Sequence, residues 1–231
     1  SNTSDKSANY NCKFLTYSEH FWSNNIIKEK SVNDAFEETV NSTIKNFRKG
    51  VALYSSLHNY SKLYRHLWHY RLFKNKLDQY GMLSNPTIDF KMLSELQQLG
   101  ESQFHTQRWS KTLPRSIDIY NKNGWTPNDF HLEKDFKILD RSAFHIVNET
   151  FVKETNYNIT LISEKTFKTF ARFIPSIILG INDTTKHLKH MGYIDMSFVF
   201  GLPDEWDKHP VEQRYELALN AVEKTCEKLN T

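Results

Sequence analysis

Two short runs, at residues 143–147 and 175–179, are mainly apolar and do not alternate, His145 and Ser176 being their only polar residues. That is the pattern of strands covered on both faces in a parallel sheet. Between them, Phe167, Phe170, Ala171 and Phe173 recur at helical spacing behind Ser163, a residue type that caps helix starts. Strand, loop, helix and strand make a βαβ unit. Upstream, residues 51–54 read as another strand. An amphipathic helix over 61–80 follows, with Leu63, Leu67, Tyr70, Leu72, Phe73 and Leu77 on one side. Its other side carries Arg65, His66, His69, Arg71, Lys74 and Lys76, the pattern of a solvated basic face. A short strand is expected over 85–90, a helix over 91–99 stopped by Gly100, an irregular stretch over 101–130 and a short helix over 132–141. Beyond the central unit come a helix over 184–191 closed by Gly192, a strand over 196–200, a loop over 202–210 and a closing helix over 210–229. Near the N-terminus, residues 14–17 suggest a strand, and Val32, Phe36, Val40, Ile44 and Phe47 mark a helix. The alternation predicts an α/β fold: a Rossmann-like parallel sheet flanked by helices over 51–231, with a reduced N-terminal segment over 1–50.

Composition narrows the function. The chain has 231 residues, 39% hydrophobic and 14% aromatic, enough for a packed core. Its formal charge of +3 suits an anionic ligand without requiring nucleic acid. There are only 7 glycines and neither a G-x-G-x-x-G nor a P-loop pattern, so phosphate binding of those two kinds is excluded. Cys12 and Cys226 lie at opposite ends, which favours free thiols in a reducing, cytoplasmic compartment over a disulfide scaffold. No apolar run is long enough for a membrane-spanning helix, and no membrane partner is expected.

Candidate chemistry gathers at the predicted strand ends, where ligands bind in parallel α/β sheets. Glu164 and Lys165 fall in the first turn of the 163–173 helix, where unpaired backbone N–H groups and the helix dipole favour anions. A carboxylate there can accept ribose hydroxyls and an ammonium can neutralise a diphosphate. The same pair also fits a helix-stabilising acid beside a solvated lysine, and the residues alone leave both readings open. His58, Glu19 and His20 follow predicted strands and are candidate general bases, since a His or Glu in a cleft has a usable pKa. His66 and His69 are spaced as a metal pair might be but lack a third ligand, and Asp204-Glu205-Trp206-Asp207 is ordinary before a helix. No metal site and no cofactor is expected.

Phe144-x4-Glu149, then Ile162-Ser163-Glu164-Lys165-Thr166-Phe167-Lys168, then Pro175-Ser176-Ile177-Ile178-Leu179-Gly180 resembles the donor-site signature of fucosyltransferase-like proteins. The pattern is most similar to the short glycosyltransferases of this type found in phages and large DNA viruses, over roughly residues 50–231. Thr185-Lys186-His187-Leu188-Lys189-His190-Met191-Gly192-Tyr193 stands where those carry a lysine- and leucine-rich helix. Leu113-Pro114 and Trp125-Thr126-Pro127-Asn128 stand where they carry a Leu-Pro and an aromatic, Asn-rich loop. Ser163 replaces the usual Thr, Leu161 a Tyr and Thr150 an Asn. The resemblance implies a GT-B donor domain and a metal-independent, inverting transfer of fucose or another sugar from a nucleotide-diphosphate donor to a hydroxyl of a glycan or modified base. It implies donor contacts from Glu149, Ser163, Glu164 and Lys165. It also makes Arg71, in the basic stretch after the 51–54 strand, a second phosphate ligand, since a guanidinium presents forked donors.

Two rivals stand beside this reading. The short N-terminal part suits a non-catalytic nucleotide- or glycan-binding module. The basic helix from Arg65 to Lys76 suits a viral protein that binds or modifies nucleic acid.

Overall fold

A computed structural model describes residues 52–58, 60–115, 139, 141–150, 152, 162–171 and 174–230. All of them belong to one compact unit spanning residues 43–231, and residues 1–42 cluster as another. The expected N-terminal strand and helix, the 132–141 helix except Leu139 and Arg141, and Glu19, His20 and Cys12 lie outside the described residues.

Four parallel strands form the sheet, in the order β2-β1-β3-β4. They are β1 (Ala52–Leu57), β2 (Gly81–Ser84), β3 (Ser142–Asn148) and β4 (Ser176–Leu179). Helix α1 (Leu63–Lys74) joins β1 to β2. Helices α2 (Phe90–Gln98) and α3 (Gln103–Ser110) follow β2. Helix α4 (Glu164–Ala171) joins β3 to β4. Helices α5 (Thr184–His190) and α6 (Val211–Asn230) complete the described chain. The sheet has helices on both faces. Tyr54, Phe144 and Ile177 form one core with Leu67, Trp68 and Tyr70 of α1 and Tyr215, Ala218 and Val222 of α6. On the opposite face, α4 reaches Glu149 and Ser176 through Thr166 and Thr169. Phe167 and Phe170, expected on its apolar side, pack their rings on Tyr193. Cys226 is buried in the core, where burial pushes its thiol up to about 11.

Several elements differ from the sequence expectation, each for a local reason. Helix α1 stops at Lys74 rather than near residue 80. Lys76 adopts a left-handed backbone, φ 58°, and Leu77 N–H reaches back to the Leu72 carbonyl at 2.9 Å, a Schellman closure made without glycine. The second strand is 81–84, not 85–90. The Tyr54 ring occupies the space a Cβ at Gly81 would need, so glycine permits the close pairing of β2 with β1. Asn85 instead bridges Arg115 across an antiparallel pair. The stretch from residue 101, expected to be irregular, holds α3, fixed by Trp109 against Tyr70 and His66 at ring distances of 5.7 and 5.9 Å. Residues 197–200 form a 3-10 turn rather than a strand. Asp195 accepts from both the backbone N–H and the hydroxyl of Ser197, a local alternative to strand pairing.

Candidate functional site at the carboxyl edge of the sheet

The connections leaving β1 and β3 run in opposite directions, α1 toward β2 and α4 toward β4, on opposite faces. Two such neighbours leave a crevice beyond their carboxyl ends, the position at which open α/β sheets bind ligands. In the β1–β3 register Tyr54 pairs with Phe144. Carried to the strand ends, that register sets His58 level with Asn148. Residues from both strand ends and both following helix starts surround this crevice.

On the β3 side the start of α4 is held by hydrogen bonds. Glu149 is 1% exposed, and its Oε1 accepts from the Ser163 backbone N–H at 3.0 Å and the Thr166 hydroxyl at 2.6 Å. A carboxylate at this point satisfies donors that a helix start leaves open and complements the helix dipole. Glu149 therefore positions α4. Its other oxygen, Oε2, is buried with no hydrogen-bond partner. Ser163 caps the helix as its sequence position suggested, its Oγ accepting from the Lys165 backbone N–H at 3.4 Å and from Lys165 Nζ at 3.2 Å. Glu164 opens the helix, and its side chain lies outside the described residues.

On the β1 side the arrangement is different. Lys62 occupies the N-cap position of α1 with an extended backbone and no side-chain cap, and the first turn holds no acid. Arg65 is 3% exposed and donates to the carbonyls of Tyr60 and Asn148 at 3.5 Å each, so it ties the helix start to the end of β3. Tyr215 donates its hydroxyl to Asn148 Oδ1 at 2.8 Å. Burial and the neighbouring Arg65 and Lys165 cations hold the Lys62 ammonium below the usual lysine range. The charges of Arg65 on α1 and Lys165 on α4 thus both act on Lys62.

His58 ends β1. Its backbone N–H donates to the Ser84 carbonyl and hydroxyl at 3.0 Å each, and its ring lies 4.5 Å from that of His69. Both ring nitrogens are buried without a partner. Burial, then His69, Arg65, His145 and His66, push its pKa well below the ordinary value, so the ring is neutral at pH 7. An enclosed imidazole of this kind cannot reach an acceptor hydroxyl as it stands.

Arg71, expected beside Lys165, sits in the last turn of α1 instead. That is about 9 Å along the helix axis from Arg65, running back from the carboxyl edge. Its Nε donates to Glu101 at 3.2 Å, and Lys74 reaches the same carboxylate at 3.0 Å. The solvated basic face expected on this helix is likewise replaced. Arg65, His66 and His69 are buried, because α2, α3 and the sheet enclose that side. His66 donates to Ser61 Oγ at 2.7 Å and accepts from Asn85 Nδ2 at 3.1 Å, which assigns the tautomer and leaves neither nitrogen for a metal. Among the described residues no group of three His, Cys, Asp or Glu side chains is placed to hold a metal ion. Asp207 accepts from the Thr185 N–H at the start of α5 at 2.7 Å, a helix-capping role. Among the described residues no helix is long and apolar enough to cross a membrane.

Lys62 and Arg65 are the rim residues that sequence reasoning missed. The signal was present: they open the helix after β1, as Ser163 and Lys165 open the helix after β3. Two helix starts and three cations around one crevice can bind an anion of more than one charge. No protein-family model, curated protein or solved structure matches the chain.

Proposed function

We propose that the protein is a glycosyltransferase of the fucosyltransferase-like type, in which residues 51–231 form a GT-B donor domain. It would move a sugar from a nucleotide-diphosphate donor to a hydroxyl of a glycan or modified base, with inversion. The observation that carries this reading is the β1/β3 crevice onto which the starts of α1 and α4 open, with Lys165 following the Ser163 cap and the Arg65 and Lys165 charges both acting on Lys62. Transfer from a nucleotide sugar leaves a diphosphate whose charge must be neutralised as the bond breaks. Side-chain cations and helix dipoles supply that neutralisation without calling on a metal. Lys165 and Arg65 are assigned to the phosphates, Lys62 to the outer rim, Ser163 and Glu164 to donor hydroxyls, and Glu149 to holding α4 in place. Of the two candidate bases, His58 is enclosed and would have to be uncovered to serve, which leaves Glu19 as the candidate.

Thermal shift against a panel of nucleoside diphosphates and nucleotide sugars tests this. A ligand at a hundredfold excess over its Kd stabilises by about 2.7 kcal/mol. At least one panel member should raise the melting temperature, and Lys165→Ala should abolish the rise. A flat response across the panel would remove the proposal.

One observation favours a second reading, a non-catalytic nucleotide- or glycan-binding module: His58 is closed over by His69 and α1. Donor hydrolysis followed over hours separates the two, since a module binds the donor and leaves it intact. Less supports the nucleic-acid reading, because Arg65, His66 and His69 of the basic side are buried and Arg71 and Lys74 pair with Glu101.

A further inference from the structure

The contact between α1 and the sheet edge is lined by imidazoles and supplies them with almost no acid. His58 of β1 and His69 of α1 lie ring to ring at 4.5 Å, 3% and 2% exposed. Protonation of His58 is opposed by His69, Arg65 and His66 of α1 and, from the opposite face of the sheet, by His145 of β3, while Ser84 of β2 meets its backbone. His69 is faced by His66 from its own helix, by Arg115 from the segment after α3, and by the Ser56 backbone. The one carboxylate in this set, Asp89 before α2, acts on His66. His58 Nδ1 and Nε2, His69 Nε2 and Ser56 Oγ are all buried without hydrogen-bond partners. A proton added to either ring therefore meets like charge and no acceptor, in a setting that excludes water.

We propose that the α1–β1 contact is an acid-sensitive latch: proton uptake by His58 and His69 lifts α1 from the sheet and withdraws Lys62 and Arg65 from the rim. The opening stands on the geometry alone, while its consequence for a bound diphosphate rests on the function proposed above. The direction follows from linkage. Burial pushes His69 down to about 3 and His58 down as well, whereas an exposed imidazole titrates near 6.5, so acid favours the open form. His145 belongs to the other face, where its Nδ1 and Ser55 Oγ share a hydrogen bond at 2.6 Å, and it titrates only when the sheet itself opens.

Hydrogen exchange on the full chain between pH 8 and 5, corrected for its intrinsic pH dependence, reads this directly. The opening constant of α1 should rise by roughly thirtyfold for each of the two histidines, about a thousandfold in all by pH 5, ahead of β3 and β4. His69→Gln should cut the rise to about thirtyfold. Simultaneous opening of α1 and the two strands in the unmodified chain overturns the latch and can be read even if the variant does not fold. A folded His69→Gln protein that opens like the unmodified chain overturns it too. Nucleotide binding measured at pH 8 is unaffected by either result, so failure of the latch and failure of the binding reading are distinguishable.

Discussion

The two sides of the crevice hold their helices by different means. The start of α4 is fixed by hydrogen bonds from Glu149 and Ser163, with the Thr166 hydroxyl returning to the same carboxylate. The start of α1 has no side-chain cap and is tied down by Arg65 on the Tyr60 and Asn148 carbonyls, while the body of the helix is held by packing: Trp68 against Tyr215, Tyr70 against Trp109 and His69 against His58. Hydrogen bonds to a carboxylate fix position. Packing that encloses unpartnered imidazoles is stable only while they stay neutral. One crevice thus combines a fixed wall with one that responds to acid.

The largest effect that would sharpen this contrast is the pH dependence of global stability. His66 is pushed down to about 4 and His69 and His145 to about 3, in each case first by burial, and His58 is lowered in the same sense. Unfolded imidazoles titrate near 6.5, so the unfolded chain binds more protons below that pH. Stability is therefore full above about 6.5 and falls as the pH drops toward the folded values, by about 1.4 kcal/mol per pH unit for each histidine. Urea melts at pH 7 and 5 should differ by about 2 kcal/mol per histidine. A flat profile would break the contrast.

Next in size, Trp68→Ala should cost about 3–5 kcal/mol by cavity formation under α1, read as a fall in the urea midpoint at unchanged slope. On the fixed wall Glu149→Gln should cost about 1.5–3 kcal/mol, because two hydrogen bonds to a buried carboxylate are weakened. Smallest is Ser163→Ala, about 1 kcal/mol for a cap, measured by thermal melting.

The sheet was legible where burial on both faces left mainly apolar, non-alternating runs, as in β3 and β4 despite His145 and Ser176, and the first turn of α4 was legible from Ser163. Strand β2 was not, because four residues beginning with Gly81 carry no period and their pairing depends on the Tyr54 ring. Helix α3 was hidden because only Thr106 and Trp109 among its residues are buried, too few for a stripe. The candidate site was half legible. The place of Lys165 after a cap could be read, whereas the choice between Arg71 and Arg65 could not, because residue type alone does not tell which turn of a helix meets the strand ends. Arg65 buries its charge against carbonyls, an arrangement that a helical pattern reads as a solvated face.

Isothermal titration of a nucleoside diphosphate at pH 8 into the unmodified chain and into Lys165→Ala, Arg65→Ala and Arg71→Ala tests the central claim most directly. The account predicts binding that is lost in the first two variants and kept in Arg71→Ala, whose side chain serves Glu101. Binding that survives in folded Lys165→Ala and Arg65→Ala proteins, or that disappears only in Arg71→Ala, would contradict it.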